Sequence, residues 1–175
     1  MPNANTFSIK PIGDLVKKYL HGVSVDPFAR NNKWATHTND LNPETAATHH
    51  MDAADFLEML ASPHGIKADC ILLDPPYSPR QIVDCYKAAG LTVNQQTTQS
   101  AALYKRVRTA ARRLCKPGTT VLSFGWNSAG MGVGFDTLEI LLVAHGGAHN
   151  DTICVVERAT EHVNAQLSLT EDITP

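Results

Sequence analysis

The sequence has no apolar run approaching the roughly 18 residues of a membrane-spanning helix. Its first ten residues, MPNANTFSIK, lack the apolar core of a secretory signal. Both absences lead to the expectation of a cytoplasmic protein with no membrane attachment. Cys70, Cys85, Cys115 and Cys154 are widely spaced and form no Cys-x-x-Cys pair, which argues against a zinc ribbon or a disulfide framework and for reduced thiols. A basic excess is missing too: 15 Lys and Arg stand against 17 Asp and Glu, a formal charge of −2. Free-standing duplex binders carry such an excess, so tight autonomous DNA binding is not expected. No Cys or carboxylate sits at ligand spacing around His49-His50 or the His145/His149 pair, and no metal site is expected. Internal repeats and low-complexity tracts are also lacking.

What is present is an alternation of strand and helix signals over a length suited to one domain, residues 1–160, followed by a polar tail, 161–175, expected to fray. Pro11 to Leu20 carries apolar residues at helical spacing. Val23 to Asp26, Ala35 to Leu41, His49 to Met51 and Ala68 to Leu73 read as four strands. A helix capped by Asp52 separates the last two. Pro79 to Ala89 begins with proline and stops before Gly90, as helix punctuation predicts. After a polar loop at 92–100, Ala101 to Cys115 reads as a helix and Thr119 to Gly125 as a fifth strand. Leu138 to Ala144 and Thr152 to Glu157 read as a closing antiparallel pair across His145 to Asp151. The implied class is α/β: a mostly parallel sheet with helices on both faces and a terminal antiparallel hairpin.

The most informative segment is Ile71-Leu72-Leu73-Asp74-Pro75-Pro76-Tyr77. The apolar run suits a strand buried on both faces. Two prolines in succession donate no backbone hydrogen bonds, so the ladder stops there. Asp74 and Tyr77 are thereby presented at the carboxyl end of a central strand, where open α/β sheets bind ligands. A planar amine on a heteroaromatic ring is a poor nucleophile. It needs acceptors for its N–H groups and a flat wall for its ring. Asp74 and the Pro75 carbonyl supply the acceptors, and Tyr77 an aromatic face worth about 1–3 kcal/mol per stacked base.

This tetrapeptide resembles the catalytic motif of the S-adenosylmethionine-dependent amino-methyltransferases, above all the adenine-N6 DNA methyltransferases, where Asp first and Tyr last is the usual form. The resemblance covers roughly residues 7–157. It implies a Rossmann-like class I methyltransferase sheet of seven strands, S-adenosyl-L-methionine as cofactor, and Asp74, Pro75, Pro76 and Tyr77 as catalytic residues. It also implies cofactor contacts from Asp26-Pro27-Phe28 after the first strand, Asp40 after the second (ribose), Asp52 after the third (adenine amine) and Asp74 itself. The family loop often reads Asp-Pro-Phe-x-Gly-x-Gly. Here both glycines are replaced, and Asn31 and Asn32 are the residues expected to tolerate positive φ. Related motifs act on RNA, free nucleotides or protein glutamine, and the eroded loop also admits a non-catalytic cofactor- or nucleic-acid-binding descendant.

Several residues admit two readings. Arg30 either clamps the cofactor carboxylate or is a solvated loop side chain. Asp40 either binds ribose or closes an Asx turn. Trp126 and Asn127, at the end of the fifth strand, either line the target-base pocket or plug the core. Lys105, Arg106, Arg108, Arg112, Arg113 and Lys116 are solvated helix surface or a phosphate-contacting flank, with Arg106, Arg112, Arg113 and Lys116 the expected phosphate contacts. No separate recognition region fits between Tyr77 and the fifth strand. The expected partner is DNA bound weakly by the isolated chain, with loose sequence preference, a single-stranded target, a homodimer or a partner subunit making up the deficit.

Overall fold

The computed structural model describes residues 5–92, 100–146 and 150–164. Six strands form one sheet in the order β2-β1-β3-β4-β6-β5, from β1 (Ser24–Asp26), β2 (His37–Thr38), β3 (Cys70–Leu73), β4 (Thr120–Gly125), β5 (Phe135–Val143) and β6 (Thr152–Ala159). The first four run parallel, and β6 is antiparallel to both β4 and β5. Four helices accompany them: α1 (Lys10–Tyr19), α2 (Ala53–Leu60), α3 (Pro79–Ala88) and α4 (Ser100–Leu114). The expected α/β, mostly parallel Rossmann-like architecture is the one observed.

The central strand explains the layering. All four residues of β3 are buried. Cys70 and Leu72 face α1, packing with Ile12, Leu15, Val16, Leu122 and Phe124. Ile71 and Leu73 face the other way, onto Phe56 and Leu57 of α2, Ile82 of α3 and Val107, Ala110, Ala111 and Leu114 of α4. A strand with helices on both sides has no use for polar alternation.

Three expectations change. The third strand is reduced to a single parallel bridge between Asn39 and His49, so the sheet has six described strands rather than seven. The reason lies in a side chain. Asn39 is fully buried, and its Oδ1 accepts from the Met51 N–H at 3.1 Å while its Nδ2 donates to the Met51 carbonyl at 3.0 Å. That amide supplies the partners a continuing ladder would have supplied. The second strand shrinks to two residues for a similar reason. Ser24 and Thr36 exchange side-chain-to-backbone hydrogen bonds at one end, and Asp40 turns the chain at the other by accepting from the Asn42 N–H at 2.9 Å. The tail begins later than expected. Val163 is buried, and its carbonyl accepts from Arg112 at 2.9 Å, so residues 160–164 belong to the packed domain. Residues 165–175, most of the polar loop after α3 and the centre of the hairpin turn lie outside the described residues.

Candidate active site

The carboxyl ends of β1 and β3 open into a cleft of about 980 Å³, within the size range of small-molecule sites. Asp74, Pro75, Pro76, Tyr77, Pro27, Phe28, Arg30, Asp40, Asp52 and Trp126 all line it. The structure thus gathers ten of the twelve sequence-identified positions into one cavity. Asp26 lies beneath it, 1% exposed, and Asn127 is an exposed turn residue whose Oδ1 accepts from the Ala129 N–H; neither is among the lining residues.

The Asp-Pro-Pro-Tyr segment is held from several directions. Ser78 and Gln81 form a reciprocal capping box at the start of α3. The Gln81 Oε1 also accepts from the Tyr77 N–H at 2.6 Å. The Tyr104 hydroxyl of α4 donates to the Pro76 carbonyl at 3.3 Å. No described residue donates to the Pro75 carbonyl, which keeps its acceptor capacity. The Tyr77 hydroxyl donates to the Asp74 carboxylate. Its ring meets Trp126 edge-on, centroids 5.8 Å apart. Burial pushes the Asp74 carboxyl above its ordinary range, against the opposing pull of the Tyr77 and Thr6 hydroxyls and the Arg30 charge. Burial, with the adjacent Asp74 charge, drives the Tyr77 phenol upward, so it remains a donor.

Trp126 stands where it does because the connection after β4 is pinned on both sides. Buried Glu157 accepts from the Met131 N–H at 2.6 Å. Buried Arg112 donates to the carbonyls of Met131 (2.9 Å) and Val133 (2.7 Å). Arg112 is therefore internal scaffolding rather than the phosphate contact expected of it. Lys116 and Arg113 are also displaced from that role. Helix α4 descends from the carboxyl ends of the parallel strands to their amino ends before β4 begins, so its last turn points away from the cleft. Lys116 pairs there with Asp69 at 2.7 Å, beside the amino end of β3.

On the other wall, the chain after β1 must pass through a left-handed conformation, and it does so at Arg30, φ 52°, rather than at either asparagine. Arg30 stands where the Asp-Pro-Phe-x-Gly-x-Gly loop that this segment resembles has its first glycine. An L-residue there costs about 1–2 kcal/mol, and the surroundings hold it. The Arg30 N–H donates to Asp40 Oδ2 at 3.1 Å, and the Ala29 N–H to the Asn39 carbonyl at 2.8 Å. Asp40 makes the Asx turn and lines the cleft at once, so its two readings coexist. Asp52 caps α2 through the Ala54 N–H and also accepts from Tyr86 (3.1 Å) and Arg106 (3.2 Å). Arg106 is thus committed to Asp52 and Asp55. Below them, burial raises the Asp26 carboxyl to about 8, with the Asp74 and Asp40 charges adding to the effect.

Sequence reasoning missed Asn39, Tyr86, Gln81 and Thr6. The Ser78-x-x-Gln81 spacing is a capping signal and would have revealed Gln81. Nothing local marks Asn39, whose Nδ2 also donates to the Pro27 carbonyl at 3.1 Å and so ties the loop after β1 to the turn before α2. Among the described residues no group of three or more His, Cys, Asp or Glu is placed to hold a metal ion.

No protein-family model matches the sequence, and no curated protein matches it. Among solved structures the chain is similar to TrmN from Thermus thermophilus, at 15% identity and a TM-score of 0.54 over 84% of this chain and 47% of TrmN. The chain therefore spans about half the length of that protein. It is also similar to yhhF from Escherichia coli, described as a candidate methyltransferase, at 9% identity and a TM-score of 0.52 over 92% of this chain and 89% of the other. At such identities the similarity is one of fold, the Rossmann-like sheet that methyltransferases use.

Proposed function

We propose that this chain transfers a methyl group from S-adenosyl-L-methionine to the exocyclic N6 amine of adenine, with DNA as the carrier. One observation supports this above the others. The Asp74-Pro75-Pro76-Tyr77 motif opens into the same cleft as Phe28, Arg30, Asp40 and Asp52, so acceptor-binding and cofactor-binding groups share one cavity. The residues fit the cofactor. Asp40 retains acceptor capacity beyond its two backbone hydrogen bonds, which suits a ribose diol. Asp52 sits between Tyr86 and Arg106 as a fixed acceptor for an adenine amine. Arg30 offers a cation at the mouth of the loop after β1.

When bound, S-adenosylmethionine supplies an electrophilic methyl on a sulfonium. The protein's task is alignment, and orientation contributes roughly 7–11 kcal/mol to such reactions. Asp74 and the Pro75 carbonyl accept the two N–H bonds of the amine, turning its lone pair toward the methyl. Tyr77 orients the Asp74 carboxylate through its hydroxyl while its ring and that of Trp126 wall the acceptor. The proton leaves after transfer, when the methylated nitrogen is cationic and acidic. Asp74, with its raised pKa, is a fitting first acceptor of that proton.

Among the described residues, those lining the cleft include five carboxylic side chains, Asp40, Glu44, Asp52, Asp74 and Asp84, against one guanidinium, Arg30. Such a lining does not attract polyphosphate, which supports weak duplex binding and an unpaired adenine as the better target, the flipping cost being already absent. Replacement of the loop glycine by strained Arg30 favours, as a second reading, a descendant that binds cofactor without turnover. Labelled methyl transfer to single- and double-stranded DNA, RNA, nucleotides and glutamine peptides, followed by digestion and product analysis, separates these. Labelled N6-methyladenine in DNA is the expected product. Turnover should collapse in Asp74→Ala while calorimetric cofactor affinity stays within a few-fold of wild type. Normal turnover in that variant would remove the catalytic assignment, and cofactor binding without transfer to any acceptor would favour the second reading.

A further inference from the structure

The sheet has two edges, and they are unequal. Strand β2 has two residues, and the chain beyond it is bridged to His49. Strand β5 has nine, and no described residue hydrogen-bonds to its outer backbone between Asp136 and Val143. Natural edge strands of this length are normally guarded by lysine, proline, a covering element or an inward charge. Strand β5 contains no Lys, Arg, Pro or Gly. One guard is present, a bulge between Thr137 and Glu139, and it leaves Glu139 to Val143 regular. Glu139 does not protect that stretch, because its carboxylate is turned onto α1, accepting from Lys18 at 2.6 Å and Tyr19 at 2.8 Å. The connection from β4 to β5 forms no helix, so nothing described covers the adjoining face, where Leu138, Ile140 and Leu142 are 40%, 55% and 61% exposed.

We infer that β5 is a homodimer interface, pairing antiparallel with β5 of a second copy through Glu139 to Val143. Extended backbone with vacant donors and acceptors calls for another strand, and this segment is complementary to itself. In an antiparallel pair, opposed residues must both turn their N–H and C=O groups outward or both inward. For two copies of one strand, opposed residues are then an even number apart, and the two-fold axis passes midway between a residue and its own copy. The axis that uses the whole regular segment passes between Leu141 and its own copy. It sets Ile140 against the partner's Leu142 and Glu139 against the partner's Val143. Apolar side chains meet on the bare face, and no two carboxylates are opposed. The axis stands perpendicular to the sheet, giving twelve continuous strands with the two clefts at opposite edges. Each copy then works with its own complete site.

Sedimentation velocity of the full chain from about 5 to 200 μM spans the range in which a small interface assembles. The wild type should shift from monomer to twice that mass as concentration rises. The double variant Ile140→Lys/Leu142→Lys should stay monomeric throughout, with an unchanged melting temperature because both side chains are already exposed. Val133→Lys, which charges another exposed apolar residue outside the Glu139–Val143 pairing segment, should dimerise as the wild type does. A wild type monomeric at every concentration, larger disperse aggregates in place of a dimer, or a double variant that still dimerises would overturn the inference.

Discussion

Replacing Asp26 by asparagine should make the protein more stable in base while changing little in acid. The carboxyl is 1% exposed, its Oδ1 accepts from the Phe28 N–H at 3.0 Å, and its pKa is raised from 3.8 to about 8 by burial and by the Asp74 and Asp40 charges. A group that keeps its proton to a higher pH when folded than when unfolded binds more protons in the native state. Stability is therefore fully present below pH 3.8 and is lost as pH rises toward 8. One proton held over this interval corresponds to about 1.4 kcal/mol per pH unit, which between pH 5 and pH 8 integrates to about 3–4 kcal/mol. For a chain of this size that is a fall in melting temperature of roughly 10 °C. The substituted amide keeps an oxygen for the Phe28 N–H and places an N–H₂ where the acid held its proton, but it has no charge to gain. Thermal melts of both proteins at half-unit pH steps cancel the titrations they share. The gap between the two melting temperatures should widen steadily from pH 5 to pH 8. A constant gap would mean that Asp26 titrates normally and that the base of the cleft is wetter than its burial indicates.

Four other substitutions follow from the same contacts. Asn39→Ala leaves the Pro27 carbonyl and both Met51 backbone groups without partners, at about 1–3 kcal/mol for each group that stays dry; it should lower the denaturation midpoint and weaken cofactor binding in calorimetry. Arg112→Met removes donors from three carbonyls, those of Met131 and Val163 in buried hydrogen bonds and that of Val133 in a part-buried one, and should destabilise by about 3 kcal/mol or more, with DNA affinity per folded molecule unchanged; a selective loss of DNA binding would restore its phosphate role. Arg30→Gly relieves the left-handed strain and should leave stability equal or higher by up to about 1 kcal/mol, visible as a higher urea midpoint. Asp40→Ala should cost about 1.5–3 kcal/mol of cofactor affinity if it holds the ribose, and unchanged calorimetric affinity in a folded variant would place the cofactor elsewhere.

Much of the fold was legible because its signals are local. The unbroken apolar run before Asp74, the prolines that end it, the Asp52 cap and the Pro79 start are each read from a few adjacent residues, and each stands where expected. The alternation of strand and helix then leaves few ways to cover both faces of a sheet. The placement of Asp74 to Tyr77 at the cleft was legible for the same reason: a strand end next to two prolines presents its side chains whatever surrounds it.

Tertiary structure decided the rest, because the partners are distant in sequence. A buried Asn39 amide in place of a third strand depends on Pro27 and Met51, each twelve residues away. Whether Arg112 is surface or scaffold depends on carbonyls 19 to 51 residues further on. The raised Asp26 pKa depends first on burial beneath the assembled strand ends and then on the company of Asp74 and Asp40. Local sequence sets what a segment can form and which groups it presents. Which backbone atoms and charges meet those groups is decided only when the sheet brings its strand ends together, since a buried polar group is committed by whatever satisfies it.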